Sequence, residues 1–258
     1  MPTIAITREI SPDINDCELS FHARRPIDLS KAMAQHHAYR SCLATLGAEV
    51  IALPAEPGLP DAVFVEDPAI VLNEVAIISN MGAASRRPEG ASLAKVLANY
   101  RPLKFIREPG TLDGGDVMLV DRSLFVGLSK RTNKEGIEQL RELLRVFDYR
   151  VIPIAVRDCL HLKSGCSYVG NNTVLINRSW IDTEPLNEFQ QIDVAADEPN
   201  AANALLLNGI VIMPSSFPKT CAFLEKRGFH VRTVDVSELQ KAEAGVTCCS
   251  LILGSDSA

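Results

Sequence analysis

The stretch VFVEDPAIVLNEVAIIS, residues Val63–Ser79, holds two apolar runs on either side of Asn73 and Glu74. Both runs are rich in β-branched residues, and the two polar residues between them favour a turn, so the stretch predicts a β-hairpin. An amphipathic pattern near Ala91–Tyr100 then predicts a helix, and Lys104–Arg107 predicts a further strand. The stretch therefore opens a module of the form ββαβ.

The same order of elements returns along the chain. Hairpins are predicted at Asp116–Ser129, at Ser164–Asn177 and at Ala202–Pro214, where Asn208-Gly209 is a strong turn signal. Each hairpin precedes a helical pattern and a strand: Asn133–Phe147 with Arg150–Val156, a weak short helix at Pro185–Phe189 with Gln191–Val194, and Lys219–Arg227 with His230–Val234.

The fifth module is divided between the two ends of the chain. Val246–Leu253 supplies its first strand, and Ile4–Arg8, Leu29–Leu46 and Glu49–Leu53 supply a strand, a helix and a strand. Hairpins thus recur about every 40 to 50 residues, a period typical of repeat architectures. We predict an α/β fold, a five-bladed pseudosymmetric α/β propeller of ββαβ modules, as a single domain over residues 1–258. A doubly wound α/β sheet is the alternative, since alternating helices and strands also fit it.

Composition narrows the possible functions. The 258 residues carry a net charge of −6 and no Lys/Arg run, which argues against a nucleic-acid partner and mildly favours a cationic small substrate. The seven cysteines show neither CxxC nor Cys/His zinc spacing, so we expect no disulfide framework and no structural zinc. The N-terminus has no apolar signal region, and no apolar stretch approaches a membrane span, so we expect a cytoplasmic protein without a membrane partner.

The first strand of each module should lie nearest the ring axis, and the polar residues that lead these strands should therefore converge. Several carboxylates facing one site suggest a cationic ligand with many N–H groups, such as a guanidinium. The converging residues are Asp61, Glu66, Asp67, Asp113, Asp116, His161, Asn203 and Cys248.

A thiol and an imidazole in that set suggest nucleophilic chemistry, because a thiolate attacks and a histidine transfers protons. On a strand, only one of Cys248 and Cys249 could face the axis, and alternation does not say which. Both cysteines could instead be structural, His161 could be an ordinary core residue, and the acidic motifs could be turns. Arg86 and Arg131 could bind a substrate carboxylate or be solvated loop cations.

Seven motifs in this order resemble the dimethylarginine dimethylaminohydrolases of the guanidino-group-modifying superfamily. The resemblance runs from about Leu19 to Ser250. It implies the five-bladed propeller and hydrolysis of asymmetric dimethylarginine or monomethylarginine to citrulline and the methylamine, with no cofactor and no metal. The motifs are LPDAVFVEDP, GAASRR, TLDGGD, GLSKRTN, LHLKSG, AAN and GVTCCS.

The resemblance also implies roles for individual residues. Cys248 is the nucleophile, His161 the general acid and base, and Asp113 the residue that orients His161. The substrate contacts that it implies are Asp67 with Glu66 and Asp61 at the guanidinium, Arg86 and Arg131 at the α-carboxylate, and Leu19 and Ala242 over the substrate.

Other activities are compatible with the same ring. An arginine deiminase or a citrulline hydrolase is the nearest alternative, but deiminases usually carry an Asp where this chain has Lys163, and an added helical segment. A non-catalytic propeller would not need the cysteine, histidine and carboxylates, and a zinc protein using Cys248 and His161 would lack further ligands. We expect a monomer or a homodimer.

Overall fold

The computed structural model describes residues 3–254 as a ring of five three-stranded sheets. In every sheet the central strand pairs antiparallel with one neighbour and parallel with the other. The strands are β1 (Ile4–Arg8), β2 (Glu49–Leu53), β3 (Ala69–Val71), β4 (Ala76–Ile78), β5 (Leu103–Phe105), β6 (Val117–Val120), β7 (Ser123–Leu128), β8 (Arg150–Ala155), β9 (Cys166–Gly170), β10 (Thr173–Ile176), β11 (Gln190–Asp193), β12 (Leu205–Leu207), β13 (Ile210–Pro214), β14 (His230–Val234) and β15 (Leu251–Leu253).

The helices connect the central strand to its parallel neighbour in four of the five modules, and one short helix precedes the hairpin of the remaining module. They are α1 (Leu29–Thr45), α2 (Glu89–Leu97), α3 (Lys134–Leu144), α4 (Leu162–Gly165) and α5 (Pro218–Lys226). None of the helices within residues 3–254 combines the length and the apolar character that a bilayer crossing would require.

The helix α3 shows how the sequence produces these elements. The side chain of Asn133 caps its first turn by accepting a hydrogen bond from Gly136 N at 2.8 Å. Ile137, Leu140 and Leu144 recur at helical spacing and are buried against the strands of the same module. The helix is therefore held by one apolar face and a polar cap.

The two ends of the chain close the ring. β1 lies between β15 and β2, with Ile4 opposite Leu253 and Ile6 opposite Leu251. The buried Tyr39 of α1 adds a second tie, since its hydroxyl lies 2.7 Å from both Val246 O and Ser250 Oγ. The segment before β15 is thus fixed by a helix from the other end of the chain.

The predicted propeller and its split fifth module are confirmed, but three predicted first strands begin too early, and the one predicted from Ala202 starts only at Leu205. Val65–Pro68 and Val246–Cys249 form turns, and the strands start only at Ala69 and Leu251. One backbone hydrogen bond, from Glu66 N to Cys248 O at 3.2 Å, joins these turns to each other. The prediction that Cys248 and Cys249 alternate on a strand is therefore wrong.

Two further differences are local. The hairpin predicted from Ser164 begins instead with the short helix α4, because the Ser164 backbone N–H bonds back to His161 O at 3.0 Å. The helix predicted at Pro185–Phe189 is a single 3-10 turn at Glu184–Leu186. Prolines fit the first turn of such a helix but cannot extend one from its interior.

Candidate active site

The turns that lead into the first strand of each module meet on one side of the ring, and they bring the predicted polar residues together. Most of these side chains are buried, whereas Cys248 is half-buried. A buried charge is costly unless it is paired, so each charged group here should have a partner. The buried members are Asp61, Glu66, Asp67, Arg86, Asp113, Asp116, Arg131, His161 and Asn203.

His161 lies between two carboxylates. Its Nε2 is 3.1 Å from Asp113 Oδ2, and its Nδ1 is 3.7 Å from Asp67 Oδ1. Burial acts to lower the pKa of His161, but Asp67, Asp113 and Asp116 outweigh it and raise that pKa to about 9. His161 therefore carries a proton at neutral pH and can act as an acid before it acts as a base.

A glycine makes this close approach possible. The Gly115 N–H donates to Asp67 Oδ1 at 3.1 Å. A Cβ at this position would lie 2.6 Å from both Asp67 Oδ1 and His161 Nδ1. Any side chain here would push the carboxylate and the imidazole apart, which gives TLDGGD a role beyond turn formation.

Asp113 and Asp116 serve the histidine from different sides. Asp113 Oδ1 accepts from Gly82 N at 2.8 Å, which leaves Oδ2 directed at the imidazole. Asp116 lies behind His161, where Oδ1 accepts from Leu162 N at 2.8 Å and Oδ2 accepts from Thr132 Oγ1 at 2.7 Å. Burial raises the pKa of Asp116 to about 6. Asp116 thus fixes the residue next to His161 rather than facing a ligand.

Cys248 occupies the turn before β15. Its Sγ accepts a hydrogen bond from Gly245 N at 3.3 Å. Burial, followed by the negative charges of Glu66 and Asp67, raises the pKa of the Cys248 thiol to about 12. A cation placed among these carboxylates would favour the thiolate, so the thiol responds to the charge of its ligand. Cys249 is buried in the core.

Arg86 binds carboxylates on two sides. Its Nη1 lies 2.8 Å from Asp67 Oδ2, while Nε and Nη2 each lie 2.9 Å from a carboxylate oxygen of Glu89. Asp67 has a lowered pKa: burial would raise it, but the charges of His161 and Arg86 outweigh burial. Sequence reasoning missed Glu89, although its position three residues after Arg86 is a recognised spacing for an ion pair.

A second polar network, around Glu66, lies beside the network of His161 and its carboxylates. Glu66 accepts from Lys163 Nζ at 2.6 Å and from Thr247 Oγ1 at 2.7 Å. Asn203 donates to Thr247 Oγ1 at 2.9 Å and to Lys163 O at 3.0 Å. Burial raises the pKa of Glu66, and Lys163 opposes that shift. Glu66, Lys163 and Thr247 also line a cavity of about 200 Å³.

One guanidinium nitrogen of Arg131 is available to bind a ligand. Its Nη2 donates to Ser20 Oγ at 3.2 Å, but within residues 3–254 its buried Nη1 has no hydrogen-bond partner. A buried guanidinium nitrogen without a partner indicates a place for an anionic group. Leu19 and Ala242, the residues predicted to cover a ligand, pack in the same apolar cluster as Cys248.

Asp67, Asp113 and His161 are also spaced closely enough to be considered as metal ligands, with atoms within 4.8 Å of one another. Both ring nitrogens of His161 face carboxylates, and its raised pKa of about 9 keeps the ring protonated. This is the arrangement of an imidazolium held by two carboxylates.

The family model described as "N,N dimethylarginine dimethylhydrolase, eukaryotic" matches residues 3–251. An N(G),N(G)-dimethylarginine dimethylaminohydrolase of Pseudomonas aeruginosa is 35% identical over 248 residues, which cover 95% of this chain and 97% of the relative. A protein of the same name from Streptomyces coelicolor is 34% identical over 250 residues, covering 96% of each chain.

Solved structures agree with the sequence relatives. The Pseudomonas aeruginosa enzyme, as a cysteine-to-serine mutant complexed with citrulline, superimposes with a TM-score of 0.93 at 33% identity, covering 98% of this chain and 100% of that one. An arginine dihydrolase domain from cyanobacteria, at 20% identity and a TM-score of 0.86, shares the fold and covers 97% of each chain. The chain therefore belongs to the dimethylarginine dimethylaminohydrolase family.

Proposed function

We propose that the protein hydrolyses asymmetric dimethylarginine, and also monomethylarginine, to citrulline and the corresponding methylamine. The observation that carries this proposal is the pairing of a half-buried thiol of high pKa with carboxylates and a protonated His161 in one site. A guanidinium bound by Asp67 would bring the positive charge that ionises Cys248. Family membership at 35% identity over nearly the whole chain supports the same substrate class.

The reaction then follows in two halves. The Cys248 thiolate attacks the central guanidinium carbon, and His161 gives its proton to the departing dimethylamine, which leaves a thiouronium on Cys248. His161, now neutral, takes a proton from water, and the water oxygen attacks the same carbon. The hydroxyl proton of the tetrahedral adduct is then lost to solvent as the C–S bond breaks, which restores the thiolate and releases neutral citrulline. Asp113 keeps the imidazole oriented through both halves.

The remaining site residues bind the substrate in this proposal. Arg131 holds the α-carboxylate with its unpartnered Nη1. Arg86 holds Asp67 in place and, together with Arg131, contacts the α-carboxylate of the substrate. The other predicted contacts complete the pocket: Asp61 and Glu66 on its polar side, and Leu19 and Ala242 over the substrate.

A substrate panel tests the proposal directly. The protein is incubated separately with asymmetric dimethylarginine, monomethylarginine, arginine and agmatine, and citrulline and the released amine are both measured. Asymmetric dimethylarginine should release dimethylamine, and monomethylarginine should release methylamine, each in an amount equal to the citrulline formed. One of these two substrates should have the highest kcat/KM of the panel. Ammonia release from arginine as the fastest reaction would contradict the proposal and favour a deiminase.

The same panel run on Arg131→Ala tests how the substrate carboxylate is recognised. We expect KM for dimethylarginine to rise at least about tenfold, because a buried charge-assisted hydrogen bond is lost. The decarboxylated analogue N,N-dimethylagmatine, added to the panel, should lose much less, because it lacks the carboxylate and feels only the loss of the bond between Arg131 and Ser20. An equal loss on both substrates would show that Arg131 does not bind the carboxylate.

A further inference from the structure

The segment Glu18–His22, here called the cover segment, is attached to the site by its backbone and by the side chains of Ser20 and Glu18, the latter accepting a hydrogen bond from Ser85 Oγ. Glu18 N donates to Asp61 Oδ2 at 3.0 Å, and Ser20 Oγ accepts from Arg131 Nη2 at 3.2 Å. Two side chains that we propose as substrate contacts therefore also hold this segment. The segment itself is largely exposed, so these attachments, rather than burial, determine where it lies.

Glu243 provides a further and more extensive attachment. Its carboxylate accepts hydrogen bonds from three successive backbone N–H groups: Ser20 at 3.0 and 3.1 Å, Phe21 at 2.6 Å and His22 at 2.6 Å. Hydrogen bonds to a carboxylate are stronger than neutral ones, and three at once orient the backbone as well as holding it. The contact spans more than 200 positions of sequence, so local turn formation does not explain it.

The backbone of Glu243 adopts a conformation that favours glycine, so a glutamate at this position points to a role for its side chain. Its φ is +61°, in the left-handed region that favours glycine. Two residues later, Gly245 N donates to Cys248 Sγ at 3.3 Å, and one residue earlier lies Ala242. Glu243 thus connects the cover segment to the turn that carries the nucleophile.

We propose that Glu243 is a positioning residue for the reaction: its carboxylate binds the cover segment and so holds Leu19 over the bound substrate. This inference rests on the proposed function. Glu243 acts through the cover segment, and we assign it no contact with the reacting atoms. Its loss should release the segment and weaken substrate binding, while the chemical step at Cys248 continues.

Two variants separate this role from a general structural one. Glu243→Gly removes the carboxylate and suits a φ of +61°, so the fold should be retained. Glu243→Gln keeps one acceptor oxygen but no charge, so its effects should be intermediate. Glu188→Gln, at an exposed glutamate on another module, is the matched control for loss of a charge.

Two readouts do not depend on activity. Trypsin can cleave after Arg24, which is exposed and lies two residues beyond the cover segment. Trp180 is the only tryptophan of the chain, and it lines a cavity of about 500 Å³ together with Phe21, His22 and Glu243. Its fluorescence therefore reports where the cover segment lies.

For Glu243→Gly we expect KM for dimethylarginine to rise about tenfold with kcat within about threefold, as for loss of a charged hydrogen bond that acts in binding. Tryptic cleavage at Arg24 should accelerate about tenfold, and Trp180 emission should shift. Unchanged KM, or a fall in kcat alone, would overturn the positioning role, as would unchanged cleavage. If the wild-type protein does not turn over dimethylarginine, the proposed function fails, while cleavage and fluorescence still decide whether Glu243 holds the segment.

Discussion

Cys248→Ser should abolish release of citrulline from asymmetric dimethylarginine while leaving the amino acid bound. A serine hydroxyl is far less acidic than a thiol, and neither the substrate charge nor His161 in its protonated state can ionise it, so we expect kcat to fall more than about 10³-fold. Binding should persist because carboxylates and arginines, rather than the sulfur, hold the substrate. Citrulline formation gives kcat, and calorimetric titration of the variant gives Kd.

Cys249→Ser is the matched control, because it makes the same chemical change one residue away. Cys249 is buried in the core, so the expected effect is a loss of about 1–3 kcal/mol in the free energy of unfolding, from burying a hydroxyl. The kcat of the folded protein should stay near that of the wild type. If Cys248→Ser kept substantial activity and Cys249→Ser lost it, the nucleophile would be assigned to the wrong cysteine.

His161→Ala should lower kcat/KM about 10²–10⁴-fold, because one group transfers protons in both halves of the reaction. The pKa of about 9 also predicts a pH dependence. Activity of the wild type should decline as pH rises through about 9, since the proton needed by the leaving amine is then lost. This decline near pH 9 should be absent in the variant. His37→Ala, at an exposed histidine of α1, should change neither quantity.

His161 should also make the free energy of unfolding depend on pH. The pKa of His161 is raised from 6.5 to about 9 in the folded protein, so folding favours its protonated form. The resulting stabilisation is complete below about pH 6.5 and is lost as pH rises through about 9; its size is of the order of 3 kcal/mol. Denaturant unfolding of wild type and His161→Ala at pH 6 and pH 9.5 measures it. A difference between the proteins that does not shrink with pH would contradict the pairing with Asp67 and Asp113.

The architecture was accessible from the sequence because its signals are local. Turn residues and alternating apolar runs locate the hairpins, and strands such as Ile4–Arg8, Glu49–Leu53 and His230–Val234 match their predicted bounds. The starts of β3 and β15 were misplaced for a physical reason. Val65 and Val246 are apolar and buried, as strand residues would be. Their backbones nevertheless form turns, which contacts between distant segments hold in place.

The site was only partly accessible in the same way. Convergence of modules predicted that carboxylates, His161 and Cys248 would meet, but the choice between adjacent cysteines required the family resemblance. No local pattern indicates that Lys163 pairs with Glu66, because the two residues are 97 positions apart in sequence. The bonds of Glu243 to the cover segment likewise join residues 221 to 223 positions apart, beyond any local pattern.

The central claim is that Cys248 forms a covalent intermediate after the amine has left. Acid quenching during turnover, followed by mass spectrometry of the intact protein and of the fragmented peptide that holds Cys248, measures this directly. Dimethylarginine and monomethylarginine should give adducts of the same mass, on Cys248 and not on Cys249. The masses agree because each substrate loses all of its methyl groups with the departing amine. An adduct that retains methyl groups, or that lies on another residue, would contradict the account.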